Sequence, residues 1–172
     1  MASGSTVPRA SQPDSFQIYG YGADIGGLPL FYSGGNAYFG DYTLVDDNEA
    51  APVVFTASDT TWLGSPNATV FSNSSSVPSW SNKTFAVPSS SSSTHEVGFV
   101  NGTTNSSSFL TDGFTFYGTF ILVSGSNGEL ESLWYALPSD TDGIYALEWN
   151  STSDSTDGKI LLTLKRTPPS ST

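Results

Sequence analysis

The chain has 172 residues, of which 37% are hydrophobic and 12% charged, and it carries 16 acidic against 5 basic side chains. A net charge of −11 opposes contact with phosphate backbones and anionic lipid headgroups, so we expect neither nucleic acid nor membrane insertion among its partners. The absence of cysteine excludes disulfides, thiolate nucleophiles and cysteine metal sites, and no apolar run reaches the length of a membrane-spanning helix.

The first half of the chain predicts short strands between polar turns. Residues 1–14 contain Ser, Pro and Gly without an apolar period and predict a flexible N-terminal tail. From Phe16 the pattern alternates, and the turn Ser33-Gly34-Gly35-Asn36 predicts a hairpin that is rich in aromatic residues. Three further short strands are predicted, at residues 53–57, 62–63 and 69–71.

Residues 72–94 are mostly Ser, Pro and Asn and predict one long surface loop, which contains Trp80. After a short strand at 96–100, the densest apolar stretch of the chain runs from 113 to 149. We expect it to form two or three adjacent central strands, with two helical turns at 129–137 as the rival interpretation.

A final strand is predicted at residues 159–165 and a flexible C-terminal tail at 167–172. The short spacing of the strands predicts an all-β fold, a single antiparallel β-sandwich or barrel of about ten short strands. This single domain would occupy residues 15–166.

Asparagine placement indicates the compartment. Six asparagines begin an Asn-X-Ser/Thr sequon and fall in polar segments or at strand ends, where a glycan could stand in solvent. They are Asn67, Asn73, Asn82, Asn101, Asn105 and Asn150. We therefore expect a secreted glycoprotein, with an intracellular acidic domain as the alternative. Since no apolar leader follows Met1, the signal peptide of a secreted protein would have been removed.

Aromatic residues are the candidates for ligand binding, because their rings can stack on sugars or anchor a protein interface. We select Trp80, Trp62, Tyr38 and Tyr21, with core packing as the alternative for each. Trp80 either pins its polar loop to the body or is held out toward a partner.

We predict no catalytic residue, metal site or cofactor. His95 and Glu96 are neighbours that would face opposite sides of a strand, and no G-x-S-x-G elbow is present. Paired carboxylates could hydrolyse glycosides; those in or beside apolar strands are Asp24, Asp41, Glu96, Asp112, Glu131 and Glu148. The Asp-rich turns at 140–143 and 154–158 do not have EF-hand spacing.

Three features together resemble small secreted glycoproteins of filamentous fungi: the low-charge, Ser/Thr-rich body, the segment GGLPLFYSGGNAYFGD and the segment ESLWYALPSDTDGIYALEWN. The resemblance implies work at a wall or host surface, including effector-type virulence proteins. We expect a non-catalytic protein that binds an extracellular host or wall protein, for instance by inhibiting a host hydrolase such as a protease. A carbohydrate-binding module is the alternative and a carboxylate-dependent glycoside hydrolase the second alternative. The oligomeric state stays open.

Overall fold

The computed structural model describes residues 15–73, 76–92, 94–102, 108–125, 128–150 and 158–169. As predicted, the chain is all-β, and it forms an antiparallel barrel with further strands. Its strands are β1 (Tyr19–Gly22), β2 (Ile25–Ser33), β3 (Asn36–Phe39), β4 (Ala51–Ser58), β5 (Thr61–Pro66), β6 (Lys83–Pro88), β7 (Gly98–Val100), β8 (Phe109–Leu110), β9 (Phe114–Tyr117), β10 (Phe120–Ser124), β11 (Leu130–Glu131), β12 (Trp134–Pro138), β13 (Tyr145–Trp149), β14 (Ile160–Leu161) and β15 (Thr163–Lys165). Two short 3-10 helices lie at Tyr42–Leu44 and Ala68–Phe71.

Six strands close the barrel in the order β2, β4, β5, β6, β7, β3 and back to β2. The β2–β3 hairpin turns at Gly34 and Gly35, as predicted, and both have the positive φ that glycine adopts without strain. The ring closes between β3 and β7 at a single residue pair, Asn36 opposite Gly98.

Two sheet extensions leave the barrel. The first extension continues from β2 through β1, β15 and β10, with β9 and β11 beside β10. The second extension continues from β3 through β13, β12 and β14. The chain passes from the second to the first at the buried Leu162, which separates β14 from β15.

The prediction of two or three adjacent central strands at 113–149 is wrong, because the strands of this stretch divide between the two extensions. Gly118, at a φ of 63°, turns the chain between β9 and β10, and β10 belongs to the first extension. The segment at 129–137 forms β11 and β12, not helical turns, and β12 belongs to the second extension. Alternation identifies buried positions but not the partner strand, which explains the error.

The secondary structure predicted for two other segments, 69–71 and 72–94, is wrong. The predicted strand at 69–71 lies in the second 3-10 helix, because the Asn67 side-chain oxygen accepts hydrogen bonds from the Thr69 N–H at 3.2 Å and hydroxyl at 2.7 Å. The predicted loop at 72–94 contains β6, in which five of six residues are buried. Two shorter loops flank that strand.

The core is built from stacked and edge-on aromatic rings. Phe85 is fully buried in β6 and lies 5.0–6.4 Å, between ring centroids, from the rings of Phe55, Phe99, Phe114 and Trp134. Such ring pairs add to the free energy gained by burying their area. The predicted N-terminal tail, 1–14, lies outside the described residues, as do residues 170–172 of the predicted C-terminal tail.

Candidate functional site

The outward side of the first extension carries a row of large side chains. Tyr117 lies opposite Phe120, Phe120 opposite Lys165, and Lys165 opposite Tyr19. Residues paired in this way project from the same side of an antiparallel sheet. Tyr117 is 68% exposed and Phe120 41% exposed. We call these four residues, with Tyr21 two positions beyond Tyr19, the aromatic face.

Lys165 occupies the centre of the aromatic face. Its ammonium lies 5.0 Å from the ring centroid of Tyr21 and 5.1 Å from that of Phe120, within cation–π range of both. The Tyr21 hydroxyl donates a hydrogen bond of 2.8 Å to the carbonyl of Thr167, in the predicted C-terminal tail. These contacts restrain the orientation of the Tyr21 ring, so part of the face is preorganised.

The phenol of Tyr19 stays protonated near neutral pH. Burial, followed by the proximity of Tyr21, raises the pKa of the Tyr19 hydroxyl above its usual range. A protonated phenol both donates and accepts hydrogen bonds. The face therefore combines apolar rings with hydroxyl groups and one cation.

An apolar cleft of about 350 Å³ adjoins the aromatic face. Its lining consists of Leu28, Pro29, Phe31, Gly40, Asp41, Tyr42 and Pro52. Pro29 links the two features, because it lies opposite Tyr19 across β1 and β2. The ring of Tyr38 stacks on Phe31 with 5.6 Å between centroids, and this pair belongs to a small apolar cluster separate from the main core.

The structure brings only some of the predicted binding residues to this surface. Tyr21 lies on the aromatic face, and Tyr38 is a partly buried neighbour of Phe31, which lines the cleft. The sequence prediction does not include Tyr19, Tyr117, Phe120 and Lys165. Three of them, Tyr19, Phe120 and Lys165, directly adjoin an aliphatic residue that is buried in the structure, so alternation was the available signal.

Two of the predicted binding residues, Trp62 and Trp80, are buried, so the prediction that they contact a ligand is wrong. Trp62 is fully buried against Phe16 and Phe114, and its indole N–H has no hydrogen-bond partner. Trp80 is 8% exposed; its ring lies 4.1 Å from that of Tyr32, and its N–H donates to the Glu49 carbonyl at 2.8 Å. Trp80 fastens its loop to the body.

Two of the candidate carboxylate residues are paired through their backbones. Glu96 and Glu148 lie opposite each other in an isolated antiparallel bridge, and the Asn36 amide donates to Glu96 at 3.0 Å. A second cleft, of about 360 Å³, is lined by Glu96 and Asn36 but not by Glu148, which is 6% exposed. Because a glycosidase needs both carboxylates at the scissile bond, this arrangement offers one of the two.

The remaining predictions concern metals and glycans. Within the described ranges, no group of three or more His, Asp or Glu side chains could hold a metal ion. Asn73, Asn82 and Asn101 are exposed and Asn67 and Asn150 partly exposed, whereas Asn105 lies outside the described residues. Most of the turn at 154–158 also lies outside them.

No protein-family model, no curated protein and no solved structure matches the chain. Among the residues that the structure describes, no helix has the length and apolar character to cross a membrane. Fold and site together define an antiparallel β-barrel with two sheet extensions, one of which exposes an aromatic face.

Proposed function

We propose that this chain is a secreted, non-catalytic binding protein whose aromatic face holds an extended polysaccharide. The observation that carries the proposal is the row from Tyr117 through Phe120 and Lys165 to Tyr19. The row crosses four adjacent strands and so spans about 14 Å at the usual strand spacing. That length accommodates several sugar rings side by side.

The chemistry of the face suits a sugar chain. Pyranose rings have apolar C–H faces that stack on aromatic rings, while phenol hydroxyls and the Lys165 ammonium can bond the sugar hydroxyls. Exposed apolar patches of this kind mark interaction sites. The sequons and the resemblance to small fungal secreted glycoproteins support an extracellular wall as the place where such a chain is met.

The test is co-sedimentation of the folded protein with insoluble chitin, cellulose, β-glucan and plant cell wall, followed by competition with soluble sugars. We expect depletion from solution by at least one polysaccharide, and loss of that depletion in the double variant Tyr117→Ala/Phe120→Ala. Both side chains are exposed, so the melting temperature should change little.

Leu161→Ala provides the matched control, because Leu161 is 72% exposed but lies on the second extension. It should leave depletion intact. Absence of depletion by all four materials, or equal loss in the control, would overturn the proposal. Reducing sugar released from the same suspensions would instead support the hydrolase alternative and direct attention to Glu96 and Glu148.

A protein partner is the second candidate function, including inhibition of a host hydrolase such as a protease. Exposed apolar residues support it: Leu44 is 54% exposed, Val70 44% and Val77 55%. Leu44 and Val70 belong to the two 3-10 helices, which touch through Tyr42 and Phe71 at 5.8 Å between ring centroids. We expect the wild type to capture a protein from host extracellular fluid, and the double variant Leu44→Ser/Val70→Ser to capture it no longer. If the wild type captures no protein, this candidate function is excluded.

A further inference from the structure

The apolar cleft is a separate feature with its own chemistry. Four of its seven lining residues have rings: Phe31 and Tyr42 are aromatic, and Pro29 and Pro52 are prolines without a backbone N–H; Leu28 adds an aliphatic side chain. The polar side-chain groups in its lining are the carboxylate of Asp41 and the hydroxyl of Tyr42. A ligand with many hydroxyl groups would find few partners there, which distinguishes the cleft from the aromatic face.

Asp41 gives the cleft a negative charge. Its carboxylate accepts hydrogen bonds from the Thr43 hydroxyl at 2.7 Å and the Thr43 N–H at 3.0 Å. These two bonds, the hydroxyl first, lower the pKa of Asp41 below its usual range, so the group is ionised near neutral pH. The acidic residues Asp46, Asp47 and Glu49 follow in the same corner of the chain.

We infer that the cleft binds an extended segment of a partner protein in which proline residues precede a lysine or arginine. Grooves walled by aromatic rings accept polyproline-type segments, because these need no backbone hydrogen bonds from the receptor. The carboxylate of Asp41 would pair with the basic side chain. The inference rests on the second candidate function, and it is independent of polysaccharide binding.

The probes are three labelled decapeptides added to the full chain: one of alternating proline and alanine ending in arginine, one with glutamate in place of the arginine, and one with glycine in place of each proline. Fluorescence anisotropy gives the affinities, and amide NMR shifts locate the site. We expect the arginine peptide to bind most tightly and to shift the signals of Phe31, Gly40 and Tyr42.

Asp41→Asn creates an Asn-X-Thr sequon with Thr43, so the variant is prepared in a host that does not glycosylate proteins. It then tests the charge without removing the cap, because an asparagine oxygen can still accept the Thr43 N–H. It should weaken binding of the arginine peptide about three- to fivefold, the effect of one exposed ion pair. Asp46→Asn is the control: Asp46 is exposed and lies outside the cleft lining, so it should change the affinity less.

Several outcomes would overturn the inference: no binding of any peptide, equal binding of the arginine and glutamate peptides, or shifts confined to other surfaces. Binding of N-acetylarginine amide as tightly as the decapeptide would also overturn it, in favour of a small-cation site. If Asp41→Asn still captures the host protein and no peptide binds the wild type, the inference about the cleft is refuted. The second candidate function, a protein partner, then still stands.

Discussion

Trp80 illustrates at the scale of one residue how a side chain in a polar segment can serve the fold. Its indole N–H bonds the Glu49 carbonyl at 2.8 Å, and the Glu49 carboxylate accepts the Ser79 N–H at 3.1 and 3.2 Å. The ring packs on Tyr32 and Phe99. The loop before β6 is thereby fixed to the corner after β3 by packing and hydrogen bonds together.

Trp80→Ala should lower the free energy of unfolding by about 3–5 kcal/mol, because it removes a buried aromatic ring and leaves the Glu49 carbonyl without its donor. Urea denaturation measures the change. Tyr117→Ala removes a ring that is 68% exposed and should cost about 0.5 kcal/mol or less. Similar losses in the two variants would contradict the role given to Trp80.

At the scale of elements, composition misleads where one strand is short and its flanks are polar. β6 is embedded in a Ser-rich segment, yet it is buried between β5 and β7 and pairs with both. At 69–71 the β-branched residues indicate a strand, but the local hydrogen bonds of Asn67 favour the 3-10 helix. Pairing with two other strands therefore forms β6, whereas at 69–71 a hydrogen bond between near neighbours outweighs the strand propensity.

Closure of the barrel depends on close backbone approach at Gly98. A Cβ atom there would collide with the carbonyl oxygen of Gly35, and it would lie 3.1 Å from the side-chain oxygen of Asn36. Gly98→Ala should therefore push β7 away from β3 and lower the free energy of unfolding by about 1–3 kcal/mol.

Gly26→Ala is the control for that substitution, since a Cβ atom on Gly26 would meet nothing within 4 Å. Thermal denaturation of both variants measures the difference. Amide hydrogen exchange should also be faster in β3 and β7 of Gly98→Ala only. Unchanged stability in Gly98→Ala would show that the barrel does not depend on this contact.

At the scale of the whole molecule, charge is the dominant long-range feature. Sixteen acidic side chains against five basic ones give a net charge of −11, which favours expansion through self-repulsion. The aromatic core has to hold the fold against that repulsion without any disulfide. Dissolved salt screens charges over distances near 10 Å at about 0.1 M.

Added sodium chloride at pH 7 should therefore stabilise the protein, with a rise in melting temperature of up to about 3 °C between low and physiological ionic strength. Differential scanning calorimetry measures it. The effect should vanish near the isoelectric point of 4.1, where net repulsion is absent. A fall in melting temperature on adding salt at pH 7 would mean that attractive charge pairs dominate instead.

From the amino-acid sequence one can predict the all-β class, the hairpin at Gly34 and Gly35 and an aromatic-rich core, because turn preference and side-chain alternation are local properties. The folded structure is needed to find that Tyr19, Phe120 and Lys165 share one face and that Trp62 lies in the core. Those outcomes depend on which strands pair, and pairing joins residues that are far apart along the chain.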